Sequence, residues 1–318
     1  MLNNQDFAYL RAKSLGGSDI GAILGVNRYR SSVDVWLEKT GRKVPQVNNL
    51  ATRFGQFAEE FVASEYSLST SLKLLNHHQS IVHPKYDYMH GHVDRFVCDA
   101  ESLYDASGAM LATRILECKT ANPFAQHEWG ELGSDQVPMS YLAQCAWYMM
   151  ITQLPQADLA VLFGNTDFRV YEIPRDLELE EMILDRARSF WDVNVLQDIP
   201  PKPQSESDLR SLFPKSQTGK SVEASHETIE LIKKLQSTQA QIESYEQEVS
   251  TLKQGIMAQM QDAELLMLNG KTIATWKAPK PSVRVDTKRL TEDHPAIVAQ
   301  YQVQSASSRR LVIKGVES

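Results

Sequence analysis

Cysteine is scarce in this 318-residue chain, with only Cys98, Cys118 and Cys145, far apart and each inside an apolar stretch. No Cys-x-x-Cys occurs, which argues against zinc and against an iron–sulfur cluster. Three dispersed thiols read as buried side chains in a reducing compartment. No apolar run approaches the roughly 20 residues needed to span a bilayer, so no membrane partner is expected. The opening residues, Met1-Leu2-Asn3-Asn4-Gln5-Asp6, lack the basic and apolar regions of a signal peptide, and a cytoplasmic location is the expectation. A phosphate-binding P-loop is missing as well. Asn269-Gly270-Lys271-Thr272 lacks the upstream glycine, whose place Leu265 takes.

An excess of positive charge is also absent, the net charge being −7. It is unevenly spread: residues 1–200 carry 17 Lys/Arg against 26 Asp/Glu, and residues 201–318 carry 16 against 14. That balance weighs against a protein that coats nucleic acid non-specifically. It does not weigh against a metal-dependent nuclease, which needs acid at the metal and base only along its groove. Hydrophobic content of 42% and charged content of 23% are ordinary for a globular chain of one large domain and a smaller one.

Along the chain, Gly16-Gly17 followed by Ser18 predicts a loop feeding a helix with Ser18 as N-cap, a place where backbone N–H groups can hold a phosphate. A second helix is expected from Ser32 to Lys39, ended by Gly41. Phe54 to Tyr66 is amphipathic, Phe54, Phe57, Ala58, Phe61 and Val62 forming an apolar stripe that Glu59 flanks. Gln79 to His83 reads as a strand, Pro138 to Gln153 as an apolar helix with Gln144 as its polar intruder, and Leu159–Phe163 and Phe168–Ile173 as two more strands. A helix over Leu179 to Leu196 completes a mixed sheet flanked by helices, an α/β class. Ile199-Pro200-Pro201-Lys202-Pro203 marks a linker, assigned to 201–222 between a domain at 1–200 and an extension at 223–318. From Glu227 to Met260, Leu231, Thr238, Tyr245 and Leu252 recur every seven residues, interleaved with Leu235, Ile242, Val249 and Ile256. A helical hairpin or short coiled coil follows from that spacing. The tail from 271 is basic, with nine Lys/Arg against four Asp/Glu.

The most informative stretch is Gly91-His92-Val93-Asp94 with Ile115-Leu116-Glu117-Cys118-Lys119-Thr120. In a strand, side chains two apart share a face, so Glu117 and Lys119 point one way and Cys118 the other. If Val93 to Asp99 pairs antiparallel with Arg114 to Thr120, Asp94 joins that face. Two carboxylates suit Mg²⁺, and the lysine can orient a water and offset negative charge. A lone Glu-x-Lys is otherwise a solvated strand face with an ion pair of ~0.2–1 kcal/mol.

With these stretches in order, the chain resembles the lambda-type exonucleases, the YqaJ-like viral recombinases of the PD-(D/E)xK nuclease superfamily, over roughly residues 7 to 195. The resemblance rests on Asp94…Glu117-x-Lys119, the Tyr141-Leu142-Ala143-Gln144 helix, Phe54-Gly55 leading into Glu59, and Phe7, Arg11 and Ser18 near the N-terminus. It implies a restriction-endonuclease-like mixed sheet, with the coiled-coil-like extension and basic tail appended. By position, Asp94, Glu117 and the backbone carbonyl of Cys118 resemble the metal ligands, and Lys119 the catalytic lysine. Glu59 and Gln144 resemble auxiliary active-site residues, and Arg11 and Ser18 donors to a 5′-phosphate. His92 stands where some members have a serine, and can still donate to phosphate.

The resemblance further implies Mg²⁺-dependent (or Mn²⁺-dependent) 5′→3′ digestion of linear double-stranded DNA. A homotrimer ring and delivery of the 3′ strand to a single-strand annealing recombinase go with it, in a bacterial cell carrying a phage or mobile element. The rivals are an endonuclease or repair nuclease of the same superfamily, and a catalytically inactive DNA-binding assembly protein.

Overall fold

The computed structural model describes residues 13–43, 49–303 and 309–314. The chain divides into two compact units, Met1–Phe213 and Pro214–Ser318.

The first unit is built on a five-stranded sheet. Its strands, in chain order, are β1 (Leu74–Leu75), β4 (Arg95–Val97), β5 (Arg114–Ala121), β6 (Gln156–Phe163) and β7 (Asp167–Pro174), and they lie side by side in that order. A separate pair, β2 (Ile81–Val82) with β3 (His90–Gly91), stands beside it. Within the five-stranded sheet, β5 and β6 are the pair that runs parallel. A parallel pair needs a crossover connection, and the apolar helix Met139–Thr152 supplies it. The neighbouring pairs are antiparallel, so the sheet is mixed, as the sequence leads one to expect.

Helices cover both faces of this sheet. The first three are α1 (Gly17–Ile23), α2 (Ser32–Lys39) and α3 (Leu50–Thr70); the crossover helix is α4, and α5 spans Leu177–Ser189 before one wider turn at Phe190–Val195. Val62, Ala63 and Tyr66 of α3 pack on Val97, Leu116, Cys118, Ala160 and Leu162. The opposite face gives Ile115, Ala157, Leu159, Val161 and Phe163 to the larger core, which also holds Ala143, Ala146 and Trp147 of α4. The alternating side chains of β5 therefore feed two cores, one on each side. Past the Pro-rich stretch, a short helix α6 (Glu206–Leu212) still belongs to this unit, and Asp208 accepts a hydrogen bond from the Ser31 hydroxyl at 2.6 Å.

Two local expectations are corrected. Ser18 is not the cap of α1: Gly16 is, and its N–H donates to Asp19 Oδ2 at 3.0 Å, so Ser18 is already helical and exposed. A carboxylate three residues on serves the free N–H better than a hydroxyl inside the first turn. The apolar stripe of α3 is divided: Ala58, Val62, Ala63 and Tyr66 are buried while Phe54, Phe57 and Phe61 face outward. The small residues let the helix lie close on β5.

In the second unit a single long helix, α7 (His226–Met260), starts at Ser225, whose hydroxyl accepts from the Thr228 N–H at 3.2 Å. A hairpin of β8 (Leu265–Leu268) and β9 (Lys271–Thr275) follows, then α8 (Thr287–Asp293) and α9 (Pro295–Tyr301). The hairpin turns at Asn269 and Gly270, with φ of 49° and 78°, the left-handed pair that an Asn-Gly turn requires. Met260 is the one described residue of this unit that is buried.

Candidate active site

Strand β5 sets the site because it is flanked on both sides and cannot shift. Arg95 lies opposite Leu116 and Val97 opposite Arg114, which brings Asp94 alongside Glu117 and Cys118. Just past the end of the β4 pairing, the Cys118 N–H donates to Asp94 Oδ2 at 2.8 Å. In an extended strand the N–H and C=O of one residue point to the same neighbour. The Cys118 carbonyl is therefore turned toward Asp94 as well.

Glu117 and Lys119 share the other face of β5, under α4. Glu117 is 2% exposed. Its Oε1 accepts from Lys119 Nζ at 2.5 Å and from Gln144 Nε2 at 2.6 Å. Lys119 Nζ also lies 5.6 Å from the centre of the Tyr141 ring. The second oxygen, Oε2, is buried and has no hydrogen-bond partner among the described residues. An orphaned carboxylate oxygen in the interior is costly unless something outside the chain meets it.

The electrostatics follow from this packing. Burial, then the Glu117 charge, lift Asp94 to about 8. Burial also raises Glu117, against the pull of Lys119. For Lys119 burial would favour the neutral amine, but the Glu117 and Asp94 charges outweigh it and hold the ammonium. A charged lysine cannot take a proton; it can only donate hydrogen bonds and offset negative charge.

Glu59 and Gln144 are both brought to the site. Glu59, Asp94, Lys119, Thr52, Gly55 and Gln56 are among the residues lining a cleft of about 240 Å³. The sequence reading missed Arg95, which ties this side together. Arg95 donates to the Asp94 carbonyl, to Glu59 and to Glu60, each at 2.6 Å. It missed Tyr148 too, whose hydroxyl is 3.1 Å from Gln144 Nε2 and whose ionisation burial opposes strongly. Lying four residues after Gln144, Tyr148 shares its helix face, and that spacing was the available signal. A Cβ on Gly17 would lie 2.7 Å from the Tyr148 ring and one on Gly91 3.2 Å, so two glycines make room for it.

Of the three expected phosphate-binding residues, two are described and stand outside the cleft. Arg11 lies outside the described residues, as does Phe7. Ser18 and His92 are exposed, and neither lines the cleft. The Ser18 carbonyl is 3.5 Å from Arg30, whose guanidinium also pairs with the buried Asp19 at 2.6 Å.

The oxygens here that could hold a metal are those of Asp94, Glu117 Oε2 and the Cys118 carbonyl. All are hard oxygens, suited to Mg²⁺ or Mn²⁺ completed by water and phosphate. Among the described residues no group of three or more His, Cys, Asp or Glu is arranged to hold an ion. Two carboxylates with an unpartnered inward oxygen fit a cation that keeps several waters. They do not fit a tetrahedral zinc site.

Residues 6–155 match the family described as the YqaJ-like viral recombinase domain. The uncharacterized protein YqaJ of Bacillus subtilis (strain 168) is 29% identical over 99% of this chain and 95% of its own length. An alkaline exonuclease from Laribacter hongkongensis is similar at 16% identity and a TM-score of 0.46, covering 59% of this chain and 91% of that one. A phage-related exonuclease from Haemophilus somnus 129PT is similar at 15% identity and a TM-score of 0.41, covering 61% and 100%. Neither structure reaches a TM-score of 0.5, so neither bears on what this chain does. Over residues 6–155 the chain is therefore similar to the YqaJ-like viral recombinase domain, and over nearly its whole length to the Bacillus YqaJ protein.

Proposed function

We propose that the protein is a divalent-metal-dependent exonuclease that digests linear double-stranded DNA from its 5′ ends, leaving 3′ single strands for recombination. The observation that carries this reading is Glu117, whose Oε1 is held by Lys119 and Gln144 while its buried Oε2 has no hydrogen-bond partner among the described residues.

Asp94, Glu117 and the Cys118 carbonyl would hold Mg²⁺ or Mn²⁺. When bound, the ion polarises the scissile phosphate and lowers the pKa of a water. The rest is done by the chain. Gln144 fixes the orientation of the Glu117 carboxylate. Lys119, kept charged by Glu117 and Asp94, donates to the attacking water and offsets the charge that develops on phosphate. Arg95 holds Asp94 through its carbonyl and sets the position of Glu59 at the cleft.

The 5′ polarity, with Arg11, Ser18 and His92 as phosphate donors, rests on the family resemblance. So do the homotrimer ring and the annealing recombinase as partner. A ring would let an acidic chain hold DNA with few basic side chains.

The experiment uses a linear duplex labelled at one end, with and without 5′-phosphate, beside a closed circle, in Mg²⁺ and in EDTA. Stepwise loss from phosphorylated 5′ ends, sparing the circle and abolished by Lys119→Ala, is expected. Cutting of the circle would make the protein an endonuclease. Binding without cleavage in Mg²⁺ would leave an assembly protein.

A further inference from the structure

The helix α7 exposes a narrow apolar seam along its whole length. It is 35 residues long, about 52 Å at 1.5 Å per residue. Leu231, Leu235, Ile242, Tyr245, Val249, Leu252 and Ile256 are all exposed, Leu231 at 63% and Tyr245 at 66%. Their spacing alternates strictly between three and four once Thr238 is included, a period of 3.5. A helix that packs on a sheet or a broad core carries a wider stripe, with a third apolar position in each heptad. Here the positions flanking the seam are mostly polar: Lys234, Gln241 and Glu248 on one side, Gln239, Glu246 and Lys253 on the other. A seam this narrow fits another helix with the same seam.

From these observations we propose that α7 pairs in parallel, in register, with α7 of a second copy of this chain. Leu235, Ile242, Val249 and Ile256 fall at the a positions and Leu231, Thr238, Tyr245 and Leu252 at d. Three β-branched residues at a with leucines at both ends of d is the pattern of a two-stranded parallel coil. The flanking charges agree with that partner. In a parallel pair a g residue faces the e residue five positions on in the partner. Glu248 then meets Lys253, Lys234 meets Gln239 and Gln241 meets Glu246. No like charges are opposed, so the helix is complementary to itself.

Pairs cannot be completed within a ring of three, so with the proposed trimer this contact would join copies from two rings; the test reads the seam alone. Full-length chains carrying Ile242→Cys or Val249→Cys are oxidised mildly and run without reductant. The native Cys98, Cys118 and Cys145 are buried and stay as they are. Two a-position thiols of a parallel pair lie within disulfide reach, so most of each variant should run at twice the chain mass of 35.9 kDa. Gln247→Cys, on the outward face, should remain monomeric under the same oxidation. Adding Val249→Glu to Ile242→Cys should remove the covalent dimer while the helical circular-dichroism signal persists. Absence of crosslinking at both a positions, or equal crosslinking at Gln247→Cys, would overturn the pairing.

Discussion

Glu117 Oε1 and Gln144 Nε2 are joined at 2.6 Å, a bond from the central strand to the crossover helix. It fixes which carboxylate oxygen is spoken for and which remains open. Replacing Gln144 by Leu keeps the volume and removes the bond. The expected result is an activity about 10–100-fold lower on labelled linear duplex, the range typical of lost outer ligand partners, with melting temperature little changed. Unaltered activity would take Gln144 out of the site.

Gly17 presses on the same assembly from α1. A methyl there would meet the Tyr148 ring at 2.7 Å and Gln144 Cγ at 3.0 Å. Gly17→Ala should cost about 1–3 kcal/mol by overpacking and reduce activity with it. Gly55→Ala, with open space around it in α3, should instead leave the melting temperature level or raise it. A Gly17→Ala protein as stable as its parent would show that Tyr148 can move aside.

The metal-free protein should lose stability as pH rises. Asp94 is lifted from 3.8 to about 8, so between those values the folded chain holds a proton that the unfolded chain has released. Stability then falls with increasing pH across that window. Asp94→Asn should be more stable than the parent at pH 8 in EDTA. Mg²⁺, which requires the deprotonated carboxylates, should raise the melting temperature of the parent more at pH 8 than at pH 5. It should leave Asp94→Asn nearly unmoved. Thermal scans at the two pH values check this without any assay of activity.

Asp19 carries the opposite sign. Burial alone would raise its carboxyl, but the Lys39 and Arg30 charges, at 2.7 and 2.6 Å, hold it well below the usual range. Its contribution is complete above 3.8 and is lost as pH falls below that value toward the depressed folded pKa. Asp19→Ala removes the carboxylate from the buried Lys39 and the half-buried Arg30 and should cost about 3–5 kcal/mol. The parent's steep loss of stability between pH 4 and 2 should flatten in the variant, as read by urea titration at each pH.

Much of the site was legible because strand alternation is a rigid rule. Glu117, Lys119 and Cys118 could be assigned to faces from their order alone, and the antiparallel pairing that adds Asp94 followed from hairpin spacing. Arg95 was not legible. It sits next to Asp94 in a run that reads as an ordinary strand, and its role depends on two glutamates some 35 residues upstream. The cap of α1 was missed because Ser18 and Asp19 both suit a first turn, and only backbone geometry makes Gly16 the cap with Asp19 accepting its N–H. Phe54, Phe57 and Phe61 show the limit of periodicity: it finds an apolar face but not which part of it the sheet covers.

On β5, chemistry and packing alternate residue by residue between two cores. A single inserted or deleted residue between Arg114 and Thr120 would exchange the faces, pointing a thiol at Gln144 and a carboxylate at Val62. The loop from Asp99 to Thr113 joins the two strands and gives the larger core only Leu103 and Ala112 as buried residues, with Tyr104 and Met110 packed against them at its edge. Insertions there would lengthen a turn and leave the alternation intact. Change of length is therefore tolerable on one side of Arg114 and ruinous on the other, and relatives of this chain should differ in size at that loop rather than along the strand.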